Sequence, residues 1–295
     1  MLLLCGCASK PIAMSDGGAG GGDGGGGGAN LTPFANPTRV TINGWTDTAM
    51  EPFLSRDGRF LFFNSSNDPG VDTNLHYAER VDDLTFDYRG PIDAANSNAL
   101  DAVASEDNAG NFYFISTRAY AATRVTLYRG AWSGDSGTLG GVLPVAGLPS
   151  SAAGHVIFDD AVSADGATLA FAEGDYSTGM LTSATLGLAA RDASGDFARV
   201  PTSDVTLAAL NHDATVQYAP VFSASLLELY YTRLDGGVPA IYVATRDRVD
   251  APFSAPRKLD AITAFAEAPT LTIDEHGLYY HQLDGTRFAI YRLSR

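Results

Sequence analysis

Several acidic residues recur at the same place in a repeated strand. They stand at or just before the positions where five similar strand–turn–strand segments begin: Glu51, Asp101, Asp159 with Asp160, and Glu267, with Tyr218 at the equivalent place in the fourth segment. Carboxylates converging from separate strands can do one of three things. They can hold a hard cation such as Ca²⁺, which takes six to eight oxygens. They can split a glycosidic bond, one acting as acid and the other as base or nucleophile. Or they can accept hydrogen bonds from backbone N–H groups and only shape the chain. The candidate binding positions are therefore Glu51, Asp101, Asp160, Tyr218 and Glu267, with Ca²⁺ as a candidate ion and no cofactor otherwise implied.

Other constellations carry less. Gly134-Asp135-Ser136-Gly137 resembles a serine-protease nucleophile loop, but it sits in a Gly-rich stretch with no suitable His before it. No Gly-x-Ser-x-Gly elbow is present. The five histidines, His76, His155, His212, His276 and His281, lack a His-x-x-x-His zinc spacing. His76 and His281 read as strand residues and His276 as a turn residue. The segment 64–72, with Asp68 and Asp72, has no EF-hand spacing and reads as a loop. Arg118 and Arg233 read as salt-bridge partners for acids of adjacent units, and Trp45 and Trp132 as packing between units.

The elements that must position these residues are the repeats themselves. Residues 51–63 run strand, Ser-x-Asp-Gly turn, strand; 160–171 repeat the pattern, and 101–114 are a looser copy. Residues 219–231 and 268–280 are degenerate at the turn. The anchors Pro52, Ala102, Ala161, Pro220 and Pro269 are spaced 50, 59, 59 and 49 residues apart. Ser-x-Asp-Gly supplies a side-chain acceptor over the backbone and a Gly where positive φ is needed. The flanking runs are aromatic and β-branched, with no long helical period between them. A third short strand follows each copy, at 75–78, 126–128, 186–189, 241–244 and 290–292. Fourth-strand candidates include 197–200 and 257–259.

Four strands per 50–60 residues describe a propeller blade. The expected fold is all-β: a five-bladed β-propeller of four-stranded antiparallel blades. The last unit ends after its third strand, so the missing strand is expected from residues 38–42. That pairing would close the ring and remove an open edge. The repeats resemble the TolB-type propeller repeat, Glu-Pro-x-x-Ser-x-Asp-Gly followed by an aliphatic-aromatic strand, over about residues 37–295. The resemblance implies a periplasmic or surface propeller, often a lipoprotein, and says little about chemistry.

Residues 2–9, Leu-Leu-Leu-Cys-Gly-Cys-Ala-Ser, resemble the end of a bacterial lipoprotein signal, with Cys7 as the acylated residue. Residues 1–7 thus read as a signal remnant and 8–36 as a tether. Ten of the 32 glycines fall between residues 17 and 28. Glycine has the most backbone entropy to lose, so such a run reads as flexible coil with a reach on the order of 30 Å. Residues 37–295 form the ring. The formal charge is −15, and Lys10, Asp16 and Asp23 give the first 36 residues −1, leaving −14 for the ring. That acidity excludes nucleic acid as a partner and electrostatic docking on anionic membranes. The membrane connection is then the lipid anchor alone, on a monomer at the bacterial cell envelope. The favoured expectation is non-catalytic binding of a protein partner, a small ligand or a glycan at the channel mouth or loop face. The alternative is a carbohydrate-active enzyme using the inner-strand carboxylates.

Overall fold

A computed structural model describes residues 33–68, 73–211 and 216–295. The lipobox, the signal remnant, most of the tether and His212 lie outside these residues. Among the described residues the regular structure is almost entirely strand, with single helical turns at Tyr120–Thr123 and Ser203–Thr206. Among the described residues no helix is long and apolar enough to cross a membrane.

Two short strands, β1 (Ala35–Arg39) and β2 (Thr41–Asn43), precede a series of antiparallel meanders. The first comprises β3 (Met50–Leu54), β4 (Phe60–Asn64), β5 (Leu75–Asp82) and β6 (Thr85–Pro91). Then come β7 (Asp101–Glu106), β8 (Asn111–Ser116), β9 (Leu127–Ser133) and β10 (Thr138–Pro144). They are followed by β11 (His155–Val162), β12 (Thr168–Asp175), β13 (Ser183–Arg191) and β14 (Phe197–Arg199). Next are β15 (Val216–Phe222), β16 (Glu228–Asp235), β17 (Val238–Thr245) and β18 (Arg257–Lys258), and last β19 (Ala266–Leu271), β20 (Gly277–Asp284) and β21 (Arg287–Ser294). Every third- and fourth-strand segment named from sequence falls on one of these. A single parallel bridge, Ala184 to Val216, joins the third and fourth meanders into one sheet.

The segment expected to complete the last meander does so only in part. β1 pairs antiparallel with β21, and the Val40 N–H reaches the Ile290 carbonyl at 2.9 Å. The chain then crosses over: the Thr41 N–H donates to Leu84, and β2 pairs parallel with β6 of the first meander. One stretch of nine residues, 35–43, thus holds the last and first sheets together.

The turn chemistry orders the inner strands. Ser55, Asp107, Ser163, Ser223 and Thr272 each open a turn whose carbonyl accepts the N–H three residues on. In the first three turns that third residue is a Gly with φ near +70° (Gly58, Gly110, Gly166). The turns that look degenerate keep the same conformation with Leu226 (φ 59°) and Glu275 (φ 57°). There, Arg246 Nε and Arg295 Nε donate to the carbonyls of these two residues, at 2.8 and 2.7 Å. Aligned on the turn, the equivalents of Pro52 are Ala104, Asp160, Pro220 and Pro269. The sequence anchors Ala102 and Ala161 were therefore out of register, by two residues and one. The first error came from matching Ser105-Glu106-Asp107 to Ser55-Arg56-Asp57, whereas Asp107 itself opens the second turn, which is one residue shorter than the others.

Apolar cores lie between consecutive meanders. Phe53, Phe60 and Phe62 pack with Phe112, Phe114 and Tyr128, and Trp132 wedges into this core 5.0 Å from Phe62. Tyr230 and Ile241 pack with Leu278 and Tyr280. Leu54, Leu61 and Phe63 of the first meander pack with Tyr279 and Ile290 of the last. The buried rings and aliphatic chains, at roughly 25 cal/mol per Å² of apolar surface removed from water, are what hold sheet to sheet. Trp45 instead packs within the first meander, on Phe63, His76 and Tyr88.

Candidate functional site

The inner strands β3, β7, β11, β15 and β19 each carry a bulge next to the channel. Four residues before the turn residue stand Glu51, Val103, Asp159, Ala219 and Ala268. Glu51, Val103, Ala219 and Ala268 adopt φ between 48° and 55°, a left-handed conformation that costs on the order of 1 kcal/mol or more at a non-Gly residue. Because it recurs in four strands, this conformation belongs to the scaffold and not to one site.

The bulge turns each N–H toward a neighbouring meander, where a side chain must receive it. Val103 N–H reaches Asn64 Oδ1 at 3.3 Å, Ala268 N–H reaches Thr232 Oγ1 at 3.0 Å, and Glu51 N–H reaches His281 Nδ1 at 3.1 Å. Asn64, Thr232 and His281 all stand nine residues after their turn residue. In the third meander that position is Ala172, which has no acceptor. Asp159 replaces it, its Oδ2 accepting the Ala219 N–H at 3.0 Å.

These constraints bring three carboxylates from three meanders into one electrostatic cluster: Glu51, Asp159 and Glu267, which are 6%, 2% and 4% exposed. Asn67 Nδ2 donates to Glu51 at 2.7 Å, and Asn64 holds Asn67 at 2.6 Å. Glu267 accepts the Tyr218 hydroxyl on one oxygen and, on the other, His281 Nε2–H at 2.9 Å. Because Nδ1 of His281 accepts a backbone N–H, the ring is the neutral Nε2–H tautomer in this arrangement.

Burial raises the Glu51 carboxyl above its ordinary range. The Glu267 charge adds to that rise, and the hydrogen bond from Asn67 opposes it. Burial also pushes Asp159 well upward, reinforced by Glu51, Asp160 and Glu267 and opposed by the Ala219 N–H. Like charges this close and this dry cannot all ionise. Glu51 and Asp159 are therefore the members biased toward the protonated form.

Two predicted members are absent from it. Asp101 lies two residues upstream of the bulge and is fully buried in a structural clasp. It accepts the Ser97 N–H and hydroxyl at 2.6 and 2.7 Å and pairs with Arg118 at 2.6 Å. That pair lies within one meander, not between adjacent ones as expected. Asp160 follows Asp159 and, by strand alternation, turns the other way. Its Oδ2 takes the Ser105 hydroxyl at 2.5 Å, its Oδ1 has no partner among the described residues, and burial lifts its carboxyl to about 7. It lines an axial cavity of about 30 Å³ with Glu51, Val103 and the three inner prolines. Among the described residues no group of three or more His, Cys, Asp or Glu is placed to hold a metal ion. Arg233 lies over the Tyr242 ring at 5.1 Å.

Sequence reasoning missed Asn67 and His281. A usable signal existed: Asn64, Thr232 and His281 each end an aromatic run with one inward polar residue at the same offset from the turn.

No family model matches the chain, and no curated protein matches it. Solved structures do. The chain is similar to the endo-arabinase of Bacteroides thetaiotaomicron (TM-score 0.60, 13% identity, covering 88% of this chain and 97% of that one). It is similar to the α-L-arabinofuranosidase of Podospora anserina crystallised with cellotriose (0.58, 12%, 89% and 95%). A luciferin-regenerating enzyme also matches (0.53, 11%, 88% and 95%). At these identities the likeness shows a propeller-type fold and no more. TolB of Acinetobacter baumannii reaches a TM-score of only 0.46, so the TolB-type assignment rests on the repeat pattern alone. Most of these neighbours are glycoside hydrolases. These named hydrolases stand against the expected non-catalytic binding ring.

Proposed function

We propose that this protein is a carbohydrate-active enzyme, a glycoside hydrolase working at the mouth of a five-bladed propeller. The observation that carries the reading is the convergence of Glu51, Asp159 and Glu267 from three meanders, with Tyr218 and His281 fixing one of them. The five-blade count is supported by the cyclic packing of first and last meanders and by the β1–β21 pairing.

Asp159 serves as general acid: its environment keeps a proton on a carboxyl, as protonation of a leaving oxygen requires. Glu267, oriented by two donors, serves as base or nucleophile. Glu51 is the third carboxylate, whose charge helps Asp159 keep its proton. The axial cavity of about 30 Å³ is far below the roughly 300 Å³ of a small-molecule site, so no sugar enters the axis. The lipobox-like residues around Cys7 support a cell-envelope location for such an enzyme.

The test is hydrolysis of a panel of aryl glycosides and polysaccharides, arabinan included, with product stereochemistry followed by proton NMR. Activity abolished in Glu267→Gln supports the reading. A wild-type protein that releases no sugar from any member refutes it.

A further inference from the structure

We propose that His281 is a positioning residue with two separable jobs, one on each ring nitrogen. Nδ1 pins the left-handed backbone of Glu51, as Asn64 pins Val103 and Thr232 pins Ala268. Nε2–H aims the Glu267 carboxylate, which no other member of that series does. The second job rests on the hydrolase reading; the first does not.

The series carries the argument. At three inter-meander contacts the same offset supplies an acceptor to the same kind of N–H. An amide or a hydroxyl satisfies two of them, so an imidazole is not needed for the backbone bond. What the imidazole adds is a second polar atom on the far side of the ring, and there it meets a carboxylate at 2.9 Å. The ring is fully buried, with the edge-on ring of Phe288 5.2 Å away, so it has one orientation in which both bonds form. Two carboxylate residues thereby share one rigid connector: Glu51 through its backbone and Glu267 through its side chain. Placement of that order is what oriented catalysis needs.

Three variants separate the jobs. Asn places its amide oxygen where Nδ1 sits, Gln places its amide NH₂ where Nε2 sits, and Ala supplies neither. His281→Asn is expected to melt close to wild type. His281→Ala and His281→Gln, which leave the Glu51 N–H unsatisfied, are expected to melt lower by on the order of 5 °C. In hydrolysis the order changes. His281→Gln keeps the wild-type pH–rate profile, while the acid limb moves up by roughly one pH unit in His281→Asn and His281→Ala.

The nitrogen shifts of the histidine rings supply a readout that needs no substrate. His281 should be the neutral Nε2–H tautomer, and Glu267→Gln should move its signals. Melting of His281→Asn with His281→Ala would overturn the pin, and a proton on Nδ1 would overturn the whole assignment. Ring signals indifferent to Glu267→Gln would overturn the aiming. If wild type hydrolyses nothing, the hydrolase reading falls, and the melting order and ring signals still decide both contacts.

Discussion

The inner strands carry carboxylates at both ends, and the two sets live in opposite conditions. At the turn end, Asp165 takes the Ser163 hydroxyl and the Ala167 N–H, and Asp274 takes the Thr272 hydroxyl and the His276 N–H. Both are wet, and those hydrogen bonds hold both carboxyls below their ordinary range. At the channel end, Glu51 and Asp159 are dry, crowded by like charge and pushed upward. The same residue type thus stabilises the fold at one end and, at the other, costs stability that chemistry can use. Only the second environment marks a candidate site.

The largest expected effect separates the two ends by activity. Glu267→Gln or Asp159→Asn should lower kcat/KM at least ~100-fold while leaving melting unchanged or raised, since each removes an ionisable group from a dry cluster and keeps its shape. Steady-state kinetics and thermal melting check it, and parallel loss of both would erase the distinction.

Next is pH. Glu106 and Asp160 are lifted to about 7, burial being the main cause for each. A raised folded pKa means that the folded state binds more protons than the unfolded one. Their contribution to stability is full below about 4 and is lost as pH rises through about 7. The turn-end acids have the opposite sign, contributing above about 4 and fading below it. Melting temperature should therefore peak near pH 4–5 and fall toward pH 8, and Asp160→Asn should flatten the fall. A maximum at pH 8 would contradict this.

Turn-end variants should touch stability alone. Ser163→Ala removes the hydroxyl that accepts the Thr168 N–H at 2.9 Å and should cost about 1 kcal/mol in chemical denaturation with unchanged kinetics. Smallest is the wet pair Arg39–Asp284, 58% and 44% exposed: Arg39→Ala should change stability by less than ~0.5 kcal/mol.

Much of the strand order was legible because Ser-x-Asp-Gly turns and aromatic runs are local signals. The degenerate fourth and fifth turns kept their geometry without Gly, and there Arg246 and Arg295 bond the carbonyls of Leu226 and Glu275. The acids were legible as a set but not as members of a site. Asp101, Asp159 and Asp160 lie in one type of strand, yet a register error of one residue sends a side chain to the other face, and an error of two moves it along the strand. Asp101 met Arg118, Asp160 met Ser105, and only Asp159 met Glu51 and Glu267. The role of His281 was hidden because its partners are 230 and 14 residues away.

The sequence by itself determined an all-β chain of repeated hairpins, an acidic ring segment and a Gly-rich stretch before it. These follow from composition and short-range pattern, which act within a few residues. Tertiary structure alone decided which carboxylates converge, which histidine nitrogen carries the proton, and that residues 35–43 join the last sheet and then the first. Each of those depends on packing one meander against another. Burial and long-range neighbours set the charge of a group there, and neither is written beside it in the chain.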